Sequence, residues 1–189
     1  MNWKILASNY VYQDRWFRAR ADKCLLPDGR VMEPYYVIEL PNWTNMIIIT
    51  KDEKMVLVRQ YRHAKGTATL ELPGGILEEG EEPMASAIRE MREETGYVST
   101  EVEFLYKISP NPAINNNTAY FFLATNAEKL AETSFDTYED LIVETYGKKE
   151  LLKLLEENAL QHGVQLGAIY KAMIRLGWMH VKIDESFPL

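Results

Sequence analysis

The sequence predicts a mixed α/β or α+β sandwich. Three observations carry that expectation: many short β-branched or aromatic runs broken by turn signals, one strong helical pattern near the middle, and two helical patterns toward the C-terminus. Pro27-Asp28-Gly29 lies between Tyr10–Ala19 and Val31–Glu39 and reads as a hairpin turn. Pro41-Asn42 is a second break. Asn45–Thr50 and Met55–Gln60 are apolar runs around Lys51-Asp52-Glu53-Lys54, a second hairpin. Thr67–Leu72 is a short strand running into Pro73-Gly74-Gly75. Glu82–Thr95 is a helix, with Met84, Ile88, Met91 and Thr95 as its inward stripe and Gly96 as its stop. Val102–Ile108, Thr118–Ala124 and Leu141–Tyr146 are further strands, and Ser109–Asn117 is a Pro- and Asn-rich loop. Lys148–Ala159 and Val164–Gly177 are amphipathic helices.

Length and composition bound the function. The 189 residues, 47% apolar and 26% charged, suit one domain with a small appended element. Cys24 is the single cysteine, which excludes an intrachain disulfide and a cysteine-based zinc site and fits a cytoplasmic location. His63, His162 and His180 lack metal-ligand spacing. The run Met46–Ile49 is far short of the ~18 residues of a membrane span, and the N-terminal residues do not read as a secretory signal. The net charge of −7 argues against a nucleic-acid partner, because such binding rests on basic patches. A small polyanion remains open as a ligand if cations bridge it to carboxylates.

The acid is concentrated between Gly75 and Gly96, in GILEEGEEPMASAIREMREETG. An arbitrary charge run is usually a solvated helix face. Here Glu90, Glu93 and Glu94 stand at i, i+3 and i+4, so they share a face, centred opposite the Met84/Ile88/Met91/Thr95 stripe. Like charges that close repel. Arg89 can pair with Glu93, and a hard divalent cation can bind the oxygens. The Leu72–Gly75 turn upstream suits close approach of backbone to a ligand, or is a plain tight turn.

This segment resembles the Nudix box, G-x5-E-x7-R-E-U-x-E-E-x-G-U with U apolar. Gly75, Glu81, Arg89, Glu90, Met91, Glu93, Glu94 and Gly96 fall in place, and Tyr97 stands where an aliphatic residue is more usual. The resemblance implies a Nudix-type α/β/α sandwich with a mixed sheet, residues 41–189, preceded by an N-terminal antiparallel sheet over residues 1–40. It implies hydrolysis of a nucleoside diphosphate linked to another group, with Mg2+ (Mn2+ as the alternative ion) held by Glu90, Glu93, Glu94 and the Gly74 carbonyl. Arg89 would orient a glutamate, and Glu81 would steady the loop. Cations of this kind cancel pyrophosphate charge and acidify a bound water. For the general base the resemblance favours Glu139 in Asp136-Thr137-Tyr138-Glu139-Asp140-Leu141, with Asp140, Asp136 and the box residue Glu93 as alternatives.

The surroundings resemble the ADP-ribose and nucleoside diphosphate sugar pyrophosphatase branch. Arg59 and Arg62 follow a strand and precede Glu71-Leu72-Pro73-Gly74-Gly75; guanidinium suits phosphate. Pro112 lies downstream of the box near where that branch places a proline. Tyr36 could stack on a base and Asn116 could bond a sugar, although strand tyrosines are commonly core and loop asparagines commonly turn formers. The expected substrate set is Arg59, Arg62, Glu71, Tyr36 and Asn116. The Ser109–Asn117 loop departs from the Ser/Gly-rich loop of that branch and looks more like a bacterial subgroup. The expected partners are a nucleoside diphosphate sugar as substrate and a second copy of the chain, through the N-terminal strands. The alternatives are hydrolysis of dinucleoside polyphosphates or nucleoside triphosphates, and a non-catalytic nucleotide sensor. The complete box glutamate set counts against the sensor. Cys24, far from the box, reads as buried packing.

Overall fold

The structure, a computed structural model, describes residues 2–135, 138 and 140–182. The chain forms two compact units, residues 1–43 with 107–119, and residues 44–106 with 120–189.

The first unit is built on a three-stranded antiparallel sheet in the order β1 (Lys4–Gln13), β2 (Arg18–Leu25), β3 (Val31–Glu39). The sequence places one strand over Tyr10–Ala19, but the chain reverses inside that span. The Asp14 carboxylate accepts the Trp16 and Phe17 N–H groups, each at 2.7 Å, and the Asp14 N–H donates to the Phe17 carbonyl at 2.9 Å. A side chain that satisfies the backbone locally competes with the ladder and makes a turn. The expected turn at Pro27-Asp28-Gly29 is present, closed by Leu26 N–H to the Arg30 carbonyl at 2.9 Å. Between the strands, buried Asp22 accepts Ser8 Oγ at 2.5 Å and Arg20 Nε at 3.1 Å, while Arg20 also binds Glu39. Cys24 is buried, as expected. The Pro- and Asn-rich loop belongs to this unit. Tyr35 Oη donates to the Ala113 carbonyl at 2.7 Å, and Ile38 N–H donates to the Ile114 carbonyl at 2.8 Å.

The second unit is built on a mixed seven-stranded sheet. Its path runs β10 (Leu141–Tyr146), β5 (Met55–Arg62), β4 (Trp43–Thr50), β9 (Ala119–Lys129), β7 (Tyr97–Val98), with β6 (Thr67–Glu71) on β5 and β8 (Glu101–Ile108) on β9. β4 is buried from Thr44 to Thr50 without alternation, so both its faces are covered. Three helices complete the unit: α1 (Pro83–Thr95), α2 (Lys148–Glu156) and α3 (Gly163–Arg175). α1 drives Ala87 and Met91 into a cluster with Met46, Ile48, Val56 and Phe122. The expected fold class is the observed one.

One expectation about α1 is corrected. Met84 and Ile88 are 39% and 38% exposed, so they do not form the inward stripe with Met91 and Thr95. The buried arc is Ser86, Ala87, Glu90, Met91, Glu94 and Thr95. Two of the three glutamates therefore lie on the buried side rather than opposite it. The small side chains of Ser86 and Ala87 let the helix approach the sheet closely, and the glycine turn described below covers Glu90 and Glu94.

Candidate active site

The site grows from the end of β6. Past Glu71 the strand ladder stops and Leu72-Pro73-Gly74-Gly75 turns toward the start of β4. Thr44 N–H donates to the Gly75 carbonyl at 2.9 Å, and Met46 N–H donates to the Pro73 carbonyl at 3.0 Å. Gly74 N–H donates to Glu94 Oε2 at 2.7 Å. Gly74 has φ +151°, and a Cβ there would overlap the Thr44 carbonyl; a Cβ on Gly75 would overlap the Glu90 carboxylate. Both glycines are thus required by close approach. The turn lies directly on two buried carboxylates of α1.

Arg89 organises the other side. Its Nε and Nη2 grip both oxygens of Glu81 at 3.0 and 3.1 Å, and Nη1 bridges Glu90 Oε1 at 2.9 Å and Glu93 Oε2 at 3.0 Å. A planar guanidinium with several donors suits such bridging. The Arg89 bonds hold the Glu81 carboxyl below its ordinary value, and the surrounding carboxylates raise Arg89. Glu93 is the open member of the set, with its side chain 43% exposed against 12% for Glu90.

No group of three or more His, Cys, Asp or Glu side chains among the described residues is arranged to hold a metal ion by itself. The donors present nevertheless fit a small divalent cation. Mg2+ takes one or two carboxylates and completes its octahedron with water and phosphate oxygens. Glu90 and Glu94, pressed against the backbone of Gly74 and Gly75, supply an oxygen-only donor set of that size.

Arg62 Nε and Nη2 bind both oxygens of Glu71 at 3.0 and 2.7 Å, and Thr69 Oγ1 bonds the same carboxylate. Burial pushes the Glu71 carboxyl up, but these bonds and the Arg62 charge bring it below its ordinary value. Burial lowers His162, against the opposing pull of Glu71. Arg59 makes a two-point contact with Glu144 at 2.5 and 3.2 Å, and Tyr146 Oη donates to Glu144. Both arginines are therefore partly neutralised by carboxylates of the sheet, and Arg62 joins Glu71 directly.

Tyr36 and Asn116 belong to the first unit and are both exposed. Asn117 beside it is buried and structural: its Nδ2 donates to the Pro41 carbonyl at 3.0 Å. Glu139 and Asp136 lie outside the described residues; Asp140 is exposed. Two buried residues escaped the sequence reading. Asn45 Nδ2 donates to the Pro73 carbonyl at 3.1 Å, and Gln165 accepts the Leu72 N–H at 2.9 Å. Their signal was a polar residue inside an apolar run and a glutamine on the apolar stripe of α3 with Ala168, Ile169 and Ala172.

Fold and site together define an α/β sandwich with an acidic box helix behind a glycine turn. The Nudix domain profile matches residues 41–161, and the profile described as nucleoside diphosphate sugar hydrolase N-terminal domain matches residues 3–38. The chain belongs to the Nudix family and is a Nudix hydrolase. It is 27% identical over 183 residues to the methanol dehydrogenase activator of Bacillus methanolicus. It is equally 27% identical over 183 residues to the ADP-ribose pyrophosphatase of Bacillus subtilis. Each alignment covers 97% of this chain and 94% of the relative. A solved structure described as an ADP compounds hydrolase shares the fold, with TM-score 0.82 and 20% identity over 94% of this chain and 95% of that one.

Proposed function

We propose that the chain hydrolyses the pyrophosphate bond of ADP-ribose or a related nucleoside diphosphate sugar, with Mg2+ or Mn2+, giving a nucleoside monophosphate and a sugar phosphate. The observation that carries the reading is the Gly74-Gly75 turn seated on Glu90 and Glu94. The profile over residues 3–38 and the similarity to the Bacillus subtilis pyrophosphatase along nearly the whole chain support the substrate class.

Glu90, Glu94 and the Gly74 carbonyl would hold the cation, with Glu93 as a further carboxylate ligand. When bound, the cation offsets the substrate's charge and acidifies a water. Arg89 keeps the box loop on the helix through Glu81 and orients Glu90 and Glu93. Arg62, held by Glu71, and Arg59, held by Glu144, supply positive potential to the diphosphate. Tyr36 stacks on the base and Asn116 bonds the ribose. Glu139 takes the proton of the attacking water; Glu93 is the alternative base. The reading places the enzyme in the cytoplasm as a homodimer. Every residue of β1 is exposed, including Ile5, Leu6, Tyr10, Val11 and Tyr12, and such an apolar strand suits pairing with a second copy.

The test is a substrate panel of diphosphate sugars, dinucleoside polyphosphates and nucleoside triphosphates with Mg2+ or EDTA, the products being separated and quantified directly by anion-exchange chromatography. Turnover of diphosphate sugars that EDTA abolishes is expected. Preference for triphosphates or dinucleotides would overturn the substrate assignment. Glu139→Gln assigns the base: a large loss of kcat with unchanged Mn2+ affinity marks Glu139, and retained kcat turns the assignment to Glu93.

A further inference from the structure

We propose that Gln165 of α3 is a positioning residue for the cation site, acting through Asn45 on the Leu72–Gly75 turn. The inference rests on the reading that Glu90, Glu94 and the Gly74 carbonyl hold a divalent cation.

β6 ends at Glu71, where it pairs with Val58. The next four residues leave the ladder, and buried backbone groups leaving a ladder need other partners. β4 supplies N–H groups to the Pro73 and Gly75 carbonyls, Glu94 takes the Gly74 N–H, and two side-chain amides take Leu72 and add a second bond at Pro73. Gln165 Oε1 accepts the Leu72 N–H at 2.9 Å, and Gln165 Nε2 donates to Asn45 Oδ1 at 3.1 Å. Asn45 Nδ2 then donates to the Pro73 carbonyl at 3.1 Å and the Leu72 carbonyl at 3.4 Å. Gln165 is 4% exposed and Asn45 3%. The pair thus takes hold of the two residues immediately before Gly74, whose own N–H is on Glu94.

This pairing has direction. Gln165 both accepts and donates, so it fixes the Asn45 amide in the one orientation that presents Nδ2 to Pro73. An apolar residue at 165 would leave the Leu72 N–H and Asn45 Oδ1 buried without a partner, and the turn would shift to regain bonds. Glu94 and the Met46 and Thr44 N–H groups of β4 anchor the turn at Gly74 and on either side of it, and the amide pair fixes the Leu72 end that leads into it. Sheet, turn, helix α1 and helix α3 therefore meet at one ligand. Groups that orient metal ligands act at this remove in other sites, and their loss weakens metal binding about ten- to hundredfold.

The test uses Gln165→Met, which keeps length and volume and removes both amide groups. Mn2+ is titrated into the metal-free full-length protein and free Mn2+ is read by electron paramagnetic resonance. Amide exchange at Leu72 and Gly74 is followed in EDTA, and the unfolding midpoint is recorded. The expected result is about tenfold or greater weakening of Mn2+ binding with faster exchange at both amides. Ile169→Ala, a buried α3 residue not in the pair, should lower the midpoint and leave the Mn2+ affinity unchanged. Gln165→Glu, which keeps an acceptor for Leu72, should fall between Gln165→Met and wild type, and serves if Gln165→Met does not fold. Unchanged Mn2+ affinity in both Gln165 variants, while Glu94→Gln abolishes binding, would overturn the positioning role alone. Binding that survives Glu94→Gln would overturn the cation site and the inference with it.

Discussion

Glu94 joins the two halves of the site, because its carboxylate takes the Gly74 N–H while its backbone sits on the buried arc of α1. Glu94→Gln keeps the size of the side chain and removes the charge. We expect hydrolysis to fall at least about a hundredfold, since removal of a ligand costs more than the ten- to hundredfold of an outer partner, with circular dichroism unchanged. Gly75→Ala tests the same contact from the other side. The added methyl collides with the Glu90 carboxylate, so turnover should collapse although the substitution is small. Glu71 makes a prediction in pH. Its carboxyl titrates below its ordinary 4.5 when folded, so its contribution to stability is complete above about pH 4.5 and is lost as pH falls through the lower folded value. Glu71→Gln should cost about 1.5–3 kcal/mol at pH 7, the range for hydrogen bonds to charged groups, and should make the acid limb of a urea-stability profile shallower. An unchanged limb would remove Glu71 from that account. At this scale the sequence was readable where a spacing demanded it: Glu81, Arg89, Glu90 and Glu93 meet at Arg89. Asn45 and Gln165 were not readable, because their pairing spans 120 positions and no local pattern reports it.

Helix α1 is the element that shows best what periodicity can and cannot say. Its limits were legible to within a residue: the expected start, Glu82, is the N-cap, and the expected stop, Gly96, has φ +71° and donates its N–H to the Arg92 carbonyl at 2.9 Å. Its burial was not. Apolar spacing chose Met84 and Ile88 for the interior, but the helix is covered on the side of Ser86, Ala87, Glu90 and Glu94. A hydrophobic pattern assumes that apolar atoms do the covering, and here a glycine turn does it. Gly96→Ala should destabilise by about 1–3 kcal/mol, the cost of a strained backbone position, because its methyl also meets the Ala131 carbonyl; a thermal melt measures it. The first hairpin failed differently. Aromatic and alternating residues ran through Tyr10–Ala19, and only the Asp14 side chain, bonding two N–H groups ahead of it, breaks the strand.

For the whole molecule, the spacing from Gly75 to Tyr97 pointed to the family that the domain profile matches, and among the described residues no helix is long and apolar enough to cross a membrane. The gathering of residues 107–119 into one compact unit with the first 43 was invisible, because contacts such as Tyr35 with Ala113 join positions 78 apart. The exposed β1 predicts association. Light scattering should give twice the 21.9 kDa chain mass, and Val11→Lys with Tyr12→Lys should return the monomer. A wild-type monomer would contradict the dimer. The central claim is tested most directly by 31P NMR of ADP-ribose with Mg2+ and enzyme. The claim predicts that the two diphosphate signals disappear together and are replaced by two phosphomonoester signals, AMP and ribose 5-phosphate, and that Glu94→Gln leaves the diphosphate intact. Diphosphate signals that persist with wild-type enzyme, or that vanish equally with Glu94→Gln, would contradict it.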